Sequence, residues 1–167
     1  IKHIPSKENP KWTGNFDDDS ETLILARLIF GEARNQPKEA MIGVGYVIKN
    51  RVKANKGYFG VNYHDVITKN SNEIYQFSSF NPTDSNRKVL IDPLTDGVSE
   101  ITKQPWFTAY DVASGIINNL LSDPTNGAVF FHSSDLSQEI FTTQSVPGAI
   151  FTKQIGDMLF YRDPYEN

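Results

Sequence analysis

One stretch dominates the sequence: between Ser20 and Asn35, Leu23, Ile24, Leu25, Ala26, Leu28, Ile29, Phe30 and Ala33 leave hardly a polar face at helical spacing. A helix apolar on nearly every side belongs in the middle of a domain, packed from several directions. It is interrupted by Arg27 and is far too short to span a bilayer, so it is a core element and not a membrane span. Asp17, Asp18, Asp19, Ser20 and Glu21 precede it and supply the caps and negative charge that a helix N-terminus needs.

A second helix is expected from Pro37 to about Lys53, with Ala40, Met41, Val44, Val47, Ile48 and Val52 at helical spacing. Gly43 and Gly45 each cost it about 1 kcal/mol of propensity, which close packing against the first helix would offset. From Ala54 to Pro105 the chain turns polar, with one short helical candidate at 63–69. A third helix fits 107–121, with Ala109, Val112, Ala113, Ile116, Ile117 and Leu120 on one side and Asp123-Pro124 as its stop. The period then changes. Residues 128–132 follow Asn126-Gly127, and 149–155 are joined to 158–162 through Gly156-Asp157, which predicts a small antiparallel sheet with a hairpin. Helices first and strands last make an α+β chain. Residues 1–19 read as an irregular arm anchored by Trp12 and Phe16, and 20–167 as the domain.

The whole chain has 167 residues, enough for one domain with a real core. A net charge of -4 argues against a general nucleic-acid binder, and the absence of cysteine removes disulfides and thiolate chemistry. The start at Ile1-Lys2-His3-Ile4-Pro5 lacks the apolar core of a secretion signal. His3, His64 and His132 have no metal-ligand spacing, and no Gly-x-Ser-x-Gly elbow occurs, so neither a metal, a cofactor nor a serine nucleophile is expected.

Glu32 is the residue whose placement invites a chemical reading. At about 100° per residue it shares a face with Leu25, Leu28 and Ile29, while Arg27 and Arg34 lie opposite. Burial there would raise its pKa and keep it protonated near neutrality, as a general acid must be. The plain alternative is a helix-end glutamate that escapes to solvent or pairs with Arg34 or Lys38.

The segment Leu25 to Arg34, ending in Gly31-Glu32-Ala33-Arg34, is followed by Pro37 and then by Val44 to Val52 with Lys49-Asn50-Arg51. Together with Gln76-Phe77-Ser78, Gly127 to His132, and Ile155-Gly156 leading to Phe160-Tyr161, these blocks resemble the cell wall hydrolase family of the spore cortex-lytic enzymes SleB and CwlJ. The chain departs from that pattern between Gly57 and Trp106, with an extra segment near 81–102.

The resemblance implies a lysozyme-like, mostly helical α+β fold and cleavage of the peptidoglycan bond between N-acetylmuramic acid and N-acetylglucosamine. Lytic transglycosylation with Glu32 as the one acid/base is the expected mode. Gln76 and Ser78 would hydrogen-bond sugar groups with Phe77 beneath them, and Phe131, His132 and Tyr161 would either face sugar rings or pack in the core. Two alternatives stay open. A muramidase would need a second carboxylate, for which Glu39, Asp84, Asp111 and Glu139 are conceivable, and an inactive relative would be a wall-binding module. Peptidoglycan strands are the implied partner, at the cell envelope or outside the cell, in a spore, after secretion or by phage delivery, with room for a separate wall-binding or delivery partner.

Overall fold

Ser20 starts the central helix: its side chain accepts from the Leu23 N–H at 3.1 Å, and α1 runs Glu21–Ala33. The computed structural model describes residues 3–95 and 100–165. Within them α1 is buried on all sides, and each fully buried Leu or Ile there contributes about 1.5–3 kcal/mol of apolar transfer. Its neighbours are α2 (Lys38–Ala54), α3 (Tyr63–Thr68), α4 (Ser85–Ile91) and α5 (Glu100–Ile117).

The face expected to be polar is also buried. Arg27 is fully enclosed and pairs with Asp19 through Nε at 2.7 Å and Nη2 at 3.2 Å. It also donates to the carbonyls of Leu90 and Pro10, at 2.8 and 2.6 Å. The arm therefore lies against the helices, helped by the Trp12 N–H on Ile91 O and the Trp106 indole on Lys7 O. Asp19 thus serves as the partner of a buried cation, leaving the cap to Ser20.

Pro37 caps α2, and Asn55 closes it in the left-handed region at φ 51°. A Cβ on Gly45 would sit 3.0 Å from Ile29 of α1 and closer still to Ile116 of α5, so close approach is needed there as expected. Gly43 differs, since it faces the Phe160 ring of the sheet and not α1. Helix α5 departs from expectation at both ends. It begins at Glu100 and carries Pro105 inside, and it stops at Ile117 with no help from Pro124. Asn119 at φ 59° lets Leu120 N–H reach Gly115 O and Asn119 N–H reach Ile116 O, which closes the helix and leaves Leu120 78% exposed.

The polar stretch holds more structure than its composition suggests. Strands β1 (Asn70–Ser71) and β2 (Ile74–Tyr75) form a minimal hairpin whose turn residues, Asn72 and Glu73, both have positive φ. A 3-10 turn, Ser78–Phe80, and α4 follow. Of the extra segment 81–102, residues 96–99 lie outside the described residues.

The sheet is antiparallel with order β3-β5-β4, from β3 (Phe130–Ser133), β4 (Ile150–Ile155) and β5 (Met158–Arg162). Phe131 pairs with Phe160 and His132 with Leu159, and Gly156 turns the hairpin at φ 57°. Between β3 and β4 comes one turn of helix, α6 (Gln138–Ile140), which widens into a π-helical turn over Phe141–Ser145. Asn50 and Arg51 of α2 donate to Ala128 O and Val129 O, fixing the approach to β3. Among the described residues no helix is long and apolar enough to cross a membrane.

Candidate active site

Glu32 is the penultimate residue of α1 and opens onto a groove of about 720 Å3 between the helices and the sheet. Burial raises its pKa, and Asp84 adds to the rise. The Ser79 hydroxyl and the Ser79 N–H, which donates to Oε2 at 3.2 Å, pull the other way without cancelling it. Among the described residues no ion pair involves Glu32. Arg34 is engaged elsewhere, donating to Asn86 Oδ1 at 2.7 Å and lying over the Phe30 ring. A carboxyl group with burial as its main perturbation and no cation beside it holds its proton at higher pH than an ordinary glutamate.

The glycine before it has a steric reason. A Cβ at Gly31 would lie 2.8 Å from Ser79 Oγ and 2.9 Å from Leu90 Cδ2. Only a residue without a side chain lets the Ser78–Phe80 turn come close enough for Ser79 to face the carboxyl group.

Gln76, Ser78, Phe131 and His132 line the same groove as Glu32. The alternation expected across Gln76-Phe77-Ser78 is present: Gln76 and Ser78 are exposed, and Phe77 is buried, stacked on Phe131 with ring centroids 5.8 Å apart. Tyr161 does not reach the groove. Its place opposite Phe130 on the central strand buries it completely, so it cannot act as a sugar platform. Its hydroxyl instead lies 2.8 Å from His132 Nε2, and the two rings stack at 5.2 Å. His132 Nδ1 is 2.7 Å from Ser133 O and must donate to that carbonyl, which leaves Nε2 to accept from Tyr161.

None of the four carboxylates considered for a second acid lines the groove. Asp111 pairs with Lys7, Glu39 pairs with Lys153, Asp84 caps α4 and Glu139 sits in the first turn of α6. Asp135, which is not among those four, does line it. So do Leu136, Phe141 and Val146 from the helical turn and the residues that flank it.

Arg51 also lines the groove, and the sequence carries a signal for it. Val44, Val47, Ile48 and Arg51 follow one helical stripe, so Arg51 continues a buried face. It is 5% exposed, lines the groove, donates from Nε to Val129 O at 2.7 Å and from Nη1 to Gln76 Oε1 at 2.8 Å. The rings of Phe59, Phe77 and Phe130 surround it at 4.9, 5.0 and 5.3 Å. Burial lowers its pKa to about 9, which still leaves it cationic at neutral pH.

The histidines sit in separate places: His3 beside Lys11 O on the arm, His64 beside Asp19 O, and His132 in the groove. Among the described residues no three His, Asp or Glu side chains group in a way that could hold a metal ion.

A family model described as cell wall hydrolase matches residues 35–161. Among solved structures, the catalytic domain of the germination-specific lytic transglycosylase SleB from Bacillus anthracis is similar, with a TM-score of 0.56 at 21% identity, covering 85% of this chain and 93% of that one. The catalytic domain of the Bacillus cereus SleB protein aligns with a TM-score of 0.49 at 20% identity, covering 85% and 89%. No curated protein matches the sequence. The first of these likenesses is one of fold and bears out the lysozyme-like α+β architecture.

Proposed function

Because this chain belongs to the cell wall hydrolase family and is thereby a peptidoglycan-lytic enzyme, we propose that it cleaves the glycosidic bond between N-acetylmuramic acid and N-acetylglucosamine by lytic transglycosylation, with Glu32 as its one acid/base. The observation that carries the reading is the state of Glu32: a groove-facing carboxyl group whose burial raises its pKa and which, among the described residues, forms no ion pair.

Protonated Glu32 gives its proton to the glycosidic oxygen as the bond to the muramoyl C1 breaks, and positive charge develops at C1. The Glu32 carboxylate then takes the proton of the muramoyl 6-hydroxyl while that oxygen attacks C1. A 1,6-anhydro ring closes, Glu32 ends as it began, and no water is consumed. Gln76 and Ser78 would hold sugar hydroxyls at the mouth of the groove, and Phe131 and His132 would offer ring faces to the glycan. Tyr161 would act through His132, by holding its tautomer and orientation.

Asp135 favours one competing reading. It lines the groove and could serve a hydrolase as the second carboxylate. Mass spectrometry of the muropeptides released from purified peptidoglycan separates the two. Transglycosylation leaves muramoyl ends lighter by one water, whereas reducing muramic acid ends would overturn the single-acid mechanism in favour of hydrolysis.

A further inference from the structure

Arg51 presents an electrostatic problem that its structural contacts leave unsolved. An isolated buried charge is costly unless it is paired. Among the described residues no carboxylate pairs with Arg51, and burial is the one influence that shifts its pKa. Two of its nitrogens hold Val129 O and Gln76 Oε1, tasks a neutral donor could perform, while Nη2 forms no hydrogen bond among the described residues. Three aromatic faces recover part of the lost hydration and fix the guanidinium plane. Because Gln76 Oε1 accepts from Arg51, the Gln76 amide nitrogen is left as a further donor on an exposed side chain in the same groove.

We propose that Arg51 and Gln76 form a carboxylate-binding subsite in the groove, which takes a carboxylate of the peptidoglycan strand. This rests on the peptidoglycan reading above and names the feature of that substrate the groove selects. Two sources carry the same chemistry: the lactyl carboxylate of a muramoyl residue without peptide, and the carboxylates of a stem peptide. A guanidinium fork matches either in a way a point charge does not.

The test uses the full chain carrying Glu32→Gln, so that substrate is bound without being cleaved. Calorimetric titration compares peptide-free glycan fragments and stem-peptide fragments, each before and after amidation of its carboxyl groups. The carboxylate form of one class binds about tenfold more tightly than its amide, in keeping with one charge-assisted contact, and the class affected identifies the source. Adding Gln76→Glu, an exposed position that does not endanger folding, supplies an internal carboxylate to Arg51 and erases the difference. Equal affinity for acid and amide in both classes, no binding of any fragment, or full discrimination in the Gln76→Glu protein overturns the subsite. Wild-type cleavage of amidated and untreated strands is measured alongside. Equal cleavage removes the subsite and leaves the glycosidase reading standing, whereas no cleavage of either counts against the glycosidase reading while the titration still judges the subsite.

Discussion

Glu32 combines an unfavourable burial with the acid/base role proposed for it, and the two have opposite signs in stability and activity. Its folded-state pKa lies above the ordinary value of 4.5, so the folded protein binds this proton more tightly than the unfolded chain. The resulting stabilisation is complete below the unfolded value and is lost as pH rises through the folded one. Glu32→Gln, which can still accept from Ser79 N–H, therefore gives a higher Tm than wild type at pH 7.5 and an equal Tm near pH 3, measured by differential scanning calorimetry. A lower Tm at pH 7.5 would mean that the carboxylate stabilises the fold. Gly31 next to it is a second test. Gly31→Ala pushes Ser79 away and lowers kcat on the order of a hundredfold, since a shift of about 1 Å at a reacting group has that effect. The accompanying stability loss is about 1–3 kcal/mol of overpacking. Glu32 stands out in the sequence by its place on the apolar stripe, and Gly31 enters only as part of the motif that contains it. Ser79 does not stand out, because nothing local marks a serine that meets Glu32 from 47 positions away.

At the scale of elements, legibility followed length and periodicity. Helices α1 and α2 and the β4-β5 hairpin show in the sequence because many apolar residues repeat with one period. The β1-β2 hairpin, α4 and the 138–145 turn do not, because each is too short for periodicity. Asp84 illustrates what these short elements do. It caps α4 by accepting from Asn86 N–H at 2.8 Å, and its charge adds to the raised pKa of Glu32. Asn caps helices as well as Asp does, so Asp84→Asn keeps α4 and lowers the Glu32 pKa. The alkaline limb of the kcat/KM pH profile then moves to lower pH, and an unmoved or oppositely moved limb would show that Asp84 does not act on the catalytic proton.

For the whole molecule, α1 at the centre organises everything else. The arm and α4 converge on Arg27, α2 holds the approach to β3, and the gap left between helices and sheet is the groove into which α1 delivers its last carboxyl group. The sequence reveals the central helix and the α+β order. It conceals that Arg27 belongs inside, because a buried ion pair with Asp19 is invisible to hydrophobic pattern, and that Tyr161 lies under the groove wall, because strand alternation alone does not say which face is covered. One carboxyl group, Glu32, is proposed to perform the cleavage. The most direct test of that role is the release of soluble muropeptides from purified peptidoglycan by Glu32→Gln protein whose circular dichroism matches wild type. Release falls at least about a thousandfold, within the range for losing an acid/base group that acts in both steps; cleavage within about tenfold of wild type would rule out Glu32 as the one acid/base.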